Sequence, residues 1–202
     1  MVICQPTGPS ATDGWPTPVL QLETVEAMPP ELLEAECPDW RESVVEKSFL
    51  RRPDVLAKAL GVPMPQELLV LKQVARIDLY LRTQSNLHLL EVKRPTQYGE
   101  WRAAADQIAR QWAQASHWLR RGHEHVLLWG VCPVRWSRSR RSPKVPENWA
   151  SELAAIKANR LGGSAAAALG LLFYSFFRSS NGSILLLWRA DEPVPSVRTL
   201  EH

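Results

Sequence analysis

The stretch Arg76-Ile77-Asp78-Leu79-Tyr80-Leu81-Arg82, then Thr83-Gln84-Ser85-Asn86, then Leu87-His88-Leu89-Leu90-Glu91-Val92-Lys93, decides how this chain folds. From Arg76 to Arg82 polar and apolar residues alternate, the period of a strand with one buried face. Thr83 to Asn86 supplies turn formers, and Leu87 to Lys93 reads as the returning strand. A turn centred between Gln84 and Ser85 sets Leu79 against Leu90, Ile77 against Val92 and Asp78 against Glu91. A slip of one residue would carry one strand's apolar set to the wrong face, so the register is well specified. Side chains alternate along a strand, so Glu91 and Lys93 share the face of Asp78.

Downstream, Tyr98 to Arg120 reads as a long amphipathic helix with the stripe Trp101, Ala104, Ala105, Ile108, Trp112, Ala115 and Leu119. Val126 to Cys132 is a continuous apolar run, as in a strand buried on both faces. It is expected parallel to Leu87–Lys93, joined through the long helix by a right-handed crossover. A helix over Glu147–Asn159 follows. The Gly/Ala-rich Leu161–Gly170 is ambiguous and suits a short helix. A hairpin, Leu171–Phe177 with Ser183–Trp188, is expected to turn at Asn181-Gly182.

Upstream, Leu68–Val74 reads as a strand. Trp40, Val44, Val45, Ser48 and Phe49 recur at helical spacing after Asp39, a plausible N-cap. Pro53 ends that helix and starts another, Asp54–Leu60, closed by Gly61. Residues 1–30, rich in Pro, Thr, Gly and Ser, read as an extended arm. The expectation is one α/β domain over residues 31–199, with a central mixed β-sheet flanked by helices. Leu200-Glu201-His202 reads as the start of a vector-encoded tail.

The 202 residues suffice for a full core, and 45% hydrophobic with 22% charged residues is the balance of a soluble globular protein. No apolar run approaches the ~18 residues that span a bilayer, so no membrane partner is expected. Residues 1–18 lack a basic region followed by an apolar stretch, so no signal peptide is expected. Cys4, Cys37 and Cys132 are too few and too scattered for a disulfide framework or a zinc site, and a cytoplasmic location is the simplest reading.

The net charge of +3 does not by itself demand a nucleic-acid partner. Its distribution is more telling. Arg135, Arg138, Arg140, Arg141 and Lys144 crowd one segment around Trp136. This is either a solvated surface loop or a loop that contacts phosphates, with Trp136 placed to stack on a base.

Two carboxylates opposed across an antiparallel pair repel each other, and a fold tolerates this mainly when positive charge sits between them. Lys93 is one source and a divalent cation another. Oxygen donors from Asp78 and Glu91, with the Val92 carbonyl as an additional candidate, suit Mg²⁺ or Mn²⁺. Such an ion is what phosphodiester hydrolysis requires, and an adjacent lysine can orient the attacking water and offset charge developing on phosphorus.

Asp78, then Glu91-Val92-Lys93 on the next strand, resembles the PD-(D/E)xK nuclease superfamily, most closely the NucS-like and RecB-like endonucleases. Ala75-Arg76-Ile77-Asp78 resembles their Gly-Arg-Ile-Asp strand. Glu46, Pro53 and Leu56 match the Glu, Pro and Leu of their preceding helical region, and Gln107 matches a Gln on the helix after the lysine. Ala75 stands for the usual Gly, Asp78 lacks a preceding Pro, and Gln111-Trp112 occupies a place where Tyr is common. The likeness spans Trp40 to Val134. It implies a restriction-endonuclease-like fold and a metal-dependent nuclease acting on nucleic acid, with DNA expected over RNA. It also implies Glu46 in the metal shell, Lys93 as the catalytic lysine and Gln107 steadying the site or the substrate. A second copy of the chain is a further expected partner, since many such nucleases cut duplexes as dimers.

Other readings stand beside this one. Asp78 and Glu91 also suit a half-exposed hairpin, salt-bridged to Arg76 and Lys93. Glu42 lies one turn before Glu46 on the same face. Gln107 also suits a solvated helix surface. His88 faces the apolar side and reads as packed. His117, His123 and His125 near Arg120 and Arg121 read as structural or as weak phosphate contacts. A nuclease-fold module that binds nucleic acid or a protein without cutting is the main functional alternative, because fold alone does not imply function. A subunit active only with a partner is another.

Overall fold

A computed structural model describes residues 19–21, 45–46, 49–50, 53–71, 76–84, 86–94, 97–119, 125–137, 142–162, 167–179 and 182–192. The central hairpin forms in the register dictated by its apolar pattern. Strands β3 (Ile77–Arg82) and β4 (Asn86–Val92) pair Leu79 with Leu90, Tyr80 with Leu89, Leu81 with His88 and Arg82 with Leu87. Thr83 closes the turn, its hydroxyl and its amide both reaching the Asn86 carbonyl.

The regular ladder stops before Asp78. Instead of a backbone carbonyl, the Asp78 carboxylate accepts the Val92 N–H at 2.8 Å. The expected pairing of Ile77 with Val92 is corrected accordingly. Ile77 packs with Leu87, Leu89, Ile108 and Trp112, whereas Val92 belongs to the cluster on the other face. The cause lies one residue earlier: Arg76, expected in the strand, has φ 57°, a left-handed conformation that turns the chain at the strand's entrance.

From β4 the chain passes through helix α2 (Trp101–Leu119) into β5 (His125–Pro133), parallel to β4. Residues 98–100 form a turn before α2, with Gly99 at φ 83°, so the helix starts later than expected. The basic segment is pinched at its base into a short ribbon, β6 (Trp136–Ser137) against β7 (Ser142–Pro143). Helix α3 (Trp149–Leu161) ends at Gly162 and leads to β8 (Ala167–Ser179), parallel to β5.

The Gly/Ala stretch is therefore the start of a long strand from Ala167 onward. It pairs there with β5, and Gly170 suits its place, since a Cβ would stand 2.5 Å from the ring of its partner Trp129. β9 (Gly182–Arg189) returns antiparallel to β8, and Gly182, expected in the turn, is already paired with Ser179. The N-terminal arm contributes β1 (Val19–Gln21) along β9, so this part of it is strand rather than free arm. β2 (Glu67–Leu71) covers the other edge of the hairpin.

The result is an α/β fold on one mixed sheet ordered β1-β9-β8-β5-β4-β3-β2, six longer strands and the three-residue β1. Helix α1 (Pro53–Leu60), ended at Gly61 with φ 69°, and the helical residues Val45, Glu46, Phe49 and Leu50 lie against one face. Val45, Phe49, Leu56 and Leu60 pack there on Leu79, Leu90, Val131 and Leu172. On the opposite face α2 packs on β4 and β5, and α3 on α2 and β8. α2 lies close over Gly130, where an added Cβ would stand 3.1 Å from the Ala105 nitrogen and 3.2 Å from the Ala104 Cβ. Gly130 pairs with Glu91, so this close approach brings the first turns of α2 over the end of β4. Among the described residues no helix is long and apolar enough to cross a membrane.

Candidate active site

Asp78, Glu91 and Lys93 meet where the parallel strands end, the end of an α/β sheet at which ligands bind. Their residues are 6, 3 and 7% exposed. The reading of Asp78 and Glu91 as surface residues on a half-exposed hairpin is thereby overturned. Arg76 is exposed, whereas Lys93 is the buried cation beside Glu91.

Lys93 is held at both ends. Its N–H donates to the Val131 carbonyl at 2.8 Å, and its own carbonyl accepts the Tyr174 hydroxyl at 2.5 Å. Its ammonium donates to Glu91 Oε1 at 3.0 Å and to Gln107 Oε1 at 2.8 Å. An ammonium pinned between a carboxylate and an amide oxygen has little freedom to leave. Gln107 is thus part of this network rather than a solvated helix residue.

The chemistry of Glu91 is strongly altered by its surroundings. Burial raises its pKa, the Asp78 charge raises it further, and Lys93 and Gln111 pull it back, leaving it at about 7. The Asp78 charge therefore reaches Glu91, and Lys93 does not fully offset it. The oxygen-rich donor set fits a hard divalent cation.

Glu46 is buried, on the helical segment packed against the other face of the hairpin. Glu42 lies outside the described residues. No three His, Cys, Asp or Glu side chains gather into a ready-made cage among the described residues, so Glu46, Asp78 and Glu91 do not close into a three-acid cluster. Val92, expected to offer its carbonyl, makes its contact through its N–H on Asp78.

The other expected residues are distributed around this end of the sheet. Arg135, exposed just past β5, lays its guanidinium over the Tyr98 ring at 4.8 Å, a cation–π contact beside the entrance to α2. Exposed Lys144 donates its N–H to the Arg135 carbonyl at 2.8 Å across the ribbon. The Trp136 backbone lies in β6; its side chain, and Arg138, Arg140 and Arg141, lie outside the described residues. So do His123 and the His117 side chain, whereas His125 is exposed at the start of β5. His88 is fully buried, its Nδ1 accepting the Trp129 indole N–H at 3.1 Å, and burial lowers its pKa to about 4. It is a packed, neutral histidine.

Two residues of the site have no role assigned from the sequence, where Gln111 is noted only as standing near a place where Tyr is common. Gln111, one helical turn after Gln107, donates from Nε2 to the Arg76 carbonyl at 2.7 Å and to Glu91 Oε2 at 3.3 Å. The i, i+4 spacing of the two glutamines was the available signal. Tyr174 had none, because its place beside Lys93 depends on β8 lying parallel to β5. Comparison with family models, with curated proteins and with solved structures returns no match.

Proposed function

We propose that this chain is a Mg²⁺- or Mn²⁺-dependent nuclease of the PD-(D/E)xK type, on a restriction-endonuclease-like fold, hydrolysing phosphodiester bonds with DNA as the expected polymer. The observation that carries the proposal is the buried group of Asp78, Glu91 and Lys93, with Lys93 clamped by Glu91 and Gln107. Burying two acids beside one base is costly, and such arrangements concentrate where chemistry requires them.

Asp78 and Glu91 would hold the ion. The ion, when bound, supplies positive charge to the scissile phosphate and acidifies a water. Lys93 offsets charge developing on the phosphate and orients the attacking water, and Gln107 holds the Lys93 ammonium in line. Arg135, Lys144 and the basic ribbon bind the flanking backbone, where phosphate contacts set position and not sequence.

The test is cleavage of plasmid, single-stranded DNA and RNA with Mn²⁺ and with EDTA. Cleavage that needs Mn²⁺ and disappears in Lys93→Ala supports the proposal; undiminished cutting in EDTA refutes it. A second reading is favoured by one observation: both Glu91 oxygens already accept hydrogen bonds and no third acid joins the pair among the described residues. A nuclease-fold module that binds without cutting fits this too, and it predicts salt-dependent binding with no cleavage under any metal.

A further inference from the structure

Gln111 lies deep in the protein, 7% exposed, on the face of α2 that covers the hairpin. Its single amide nitrogen serves two acceptors, the Arg76 carbonyl just before β3 at 2.7 Å and Glu91 Oε2 on β4 at 3.3 Å. Arg76 is the one non-glycine residue with positive φ among the described residues, at 57°. Such a conformation persists in a side-chain-bearing residue only where its surroundings hold it, and here the amide hydrogen bond helps do so. Two residues further on stands Asp78, whose carboxylate is fixed on the Val92 N–H. The amide nitrogen therefore ties the corner that delivers Asp78 to the side chain of Glu91.

The other end of the same amide points to what this arrangement receives. Gln111 Oε1 is buried and has no hydrogen-bond donor among the described residues. Buried polar groups are nearly always satisfied, so an acceptor in this position calls for a donor. It sits one amide width from the nitrogen that touches Glu91. A Mg²⁺ or Mn²⁺ ion retains several waters, each a strong donor.

We propose that Gln111 is a positioning residue of the metal site: Nε2 sets the spacing of Asp78 and Glu91, and Oε1 accepts a hydrogen bond from a water of the hydrated cation. This rests on the metal-dependent reading of the same site and deepens it. Outer residues of this kind typically govern metal affinity by 10–100-fold.

The test measures Mn²⁺ binding to the full-length, substrate-free protein by electron paramagnetic resonance, for wild type, Gln111→Met and Asp78→Asn. Methionine keeps the volume and removes both ends of the amide. The expected result is binding weakened about tenfold in Gln111→Met, with the Mn²⁺ half-saturation of cleavage raised by a similar factor. kcat at saturating Mn²⁺ should return to within a few-fold of wild type. A residue that merely packs would not separate the two.

Mn²⁺ affinity equal to wild type in folded Gln111→Met overturns this inference and leaves the nuclease reading standing. Absence of Mn²⁺ binding in wild type overturns both. Should Gln111→Met not fold, the side-chain amide resonance of Gln111 in the wild-type protein decides. It is expected to shift on adding Mg²⁺, while that of Gln114, exposed on the same helix, stays in place. An unmoved Gln111 resonance in protein that binds Mg²⁺ overturns the proposal.

Discussion

Replacing Glu91 by glutamine should stabilise the metal-free protein above neutral pH, an unusual outcome for a buried acid that is hydrogen-bonded to a lysine. Glu91 titrates at about 7 instead of its ordinary 4.5, raised first by burial and then by Asp78. The sign follows from proton binding. Between those two values the native protein holds a proton that the unfolded chain has released, so stability falls as pH rises through this window and levels off above it. At about 1.4 kcal/mol per pH unit, the loss is on the order of 3 kcal/mol. Glutamine has the shape of the protonated acid and never ionises. In EDTA, Glu91→Gln should match wild type near pH 4.5 and melt roughly 6–12 °C higher at pH 8, at about 2–4 °C per kcal/mol for a chain of this size. Thermal melts followed by circular dichroism across pH 4.5–8 make the comparison. Adding Mn²⁺ should flatten the wild-type curve, because a bound cation offsets both carboxylates. The reasoning fails if Glu91→Gln melts below wild type at pH 8, for then the Lys93 ion pair outweighs burial and the Asp78 charge.

Three other outcomes are expected. Lys93→Met, leaving two buried acids without their cation, should lose cleavage and about 3–5 kcal/mol of stability in EDTA, with Mn²⁺ restoring part of the melting temperature but not the cutting. Gly170→Ala should lose about 1–3 kcal/mol, read from the denaturant midpoint, because the new Cβ meets Trp129 at 2.5 Å; an unchanged midpoint would show that the ring gives way freely. Replacing Arg135, Arg138, Arg140, Arg141 and Lys144 by alanine should weaken DNA binding and reduce its salt slope by about one for each phosphate that is no longer neutralised, whereas an unaltered slope would make this segment a solvated surface.

Much of the site was legible because its determinants are local. Alternation along Leu79–Arg82 and Leu87–Leu90, with a turn between them, allows one register that buries the leucines, and this hairpin carries Glu91 and Lys93 to the end where Asp78 stands. The apolar run into Cys132 and the helix before it imply a parallel partner for β4, which β5 is. Gln107 needed only the helical period and the resemblance.

Where the reading failed, the deciding contact came from a distant part of the chain. Leu161–Gly170 carries helix-compatible small residues, yet from Ala167 it is strand, because it pairs with the distant β5, where Trp129 leaves room only for glycine at position 170. The left-handed turn at Arg76 is invisible to alternation, since a hydrogen bond from Gln111 on α2 supports it. Tyr174 reaches Lys93 only because β8 lies beside β5, and local pattern does not specify which strands become neighbours. By itself, the sequence determined which residues share a strand face along the paired part of the hairpin, Leu79–Arg82 with Leu87–Leu90, because a two-residue period is a property of the backbone. Tertiary structure alone decided how deeply those groups are buried and what lies over them. Burial and the Asp78 charge raise Glu91 to about 7, and α2 over β4 brings Gln111 to it.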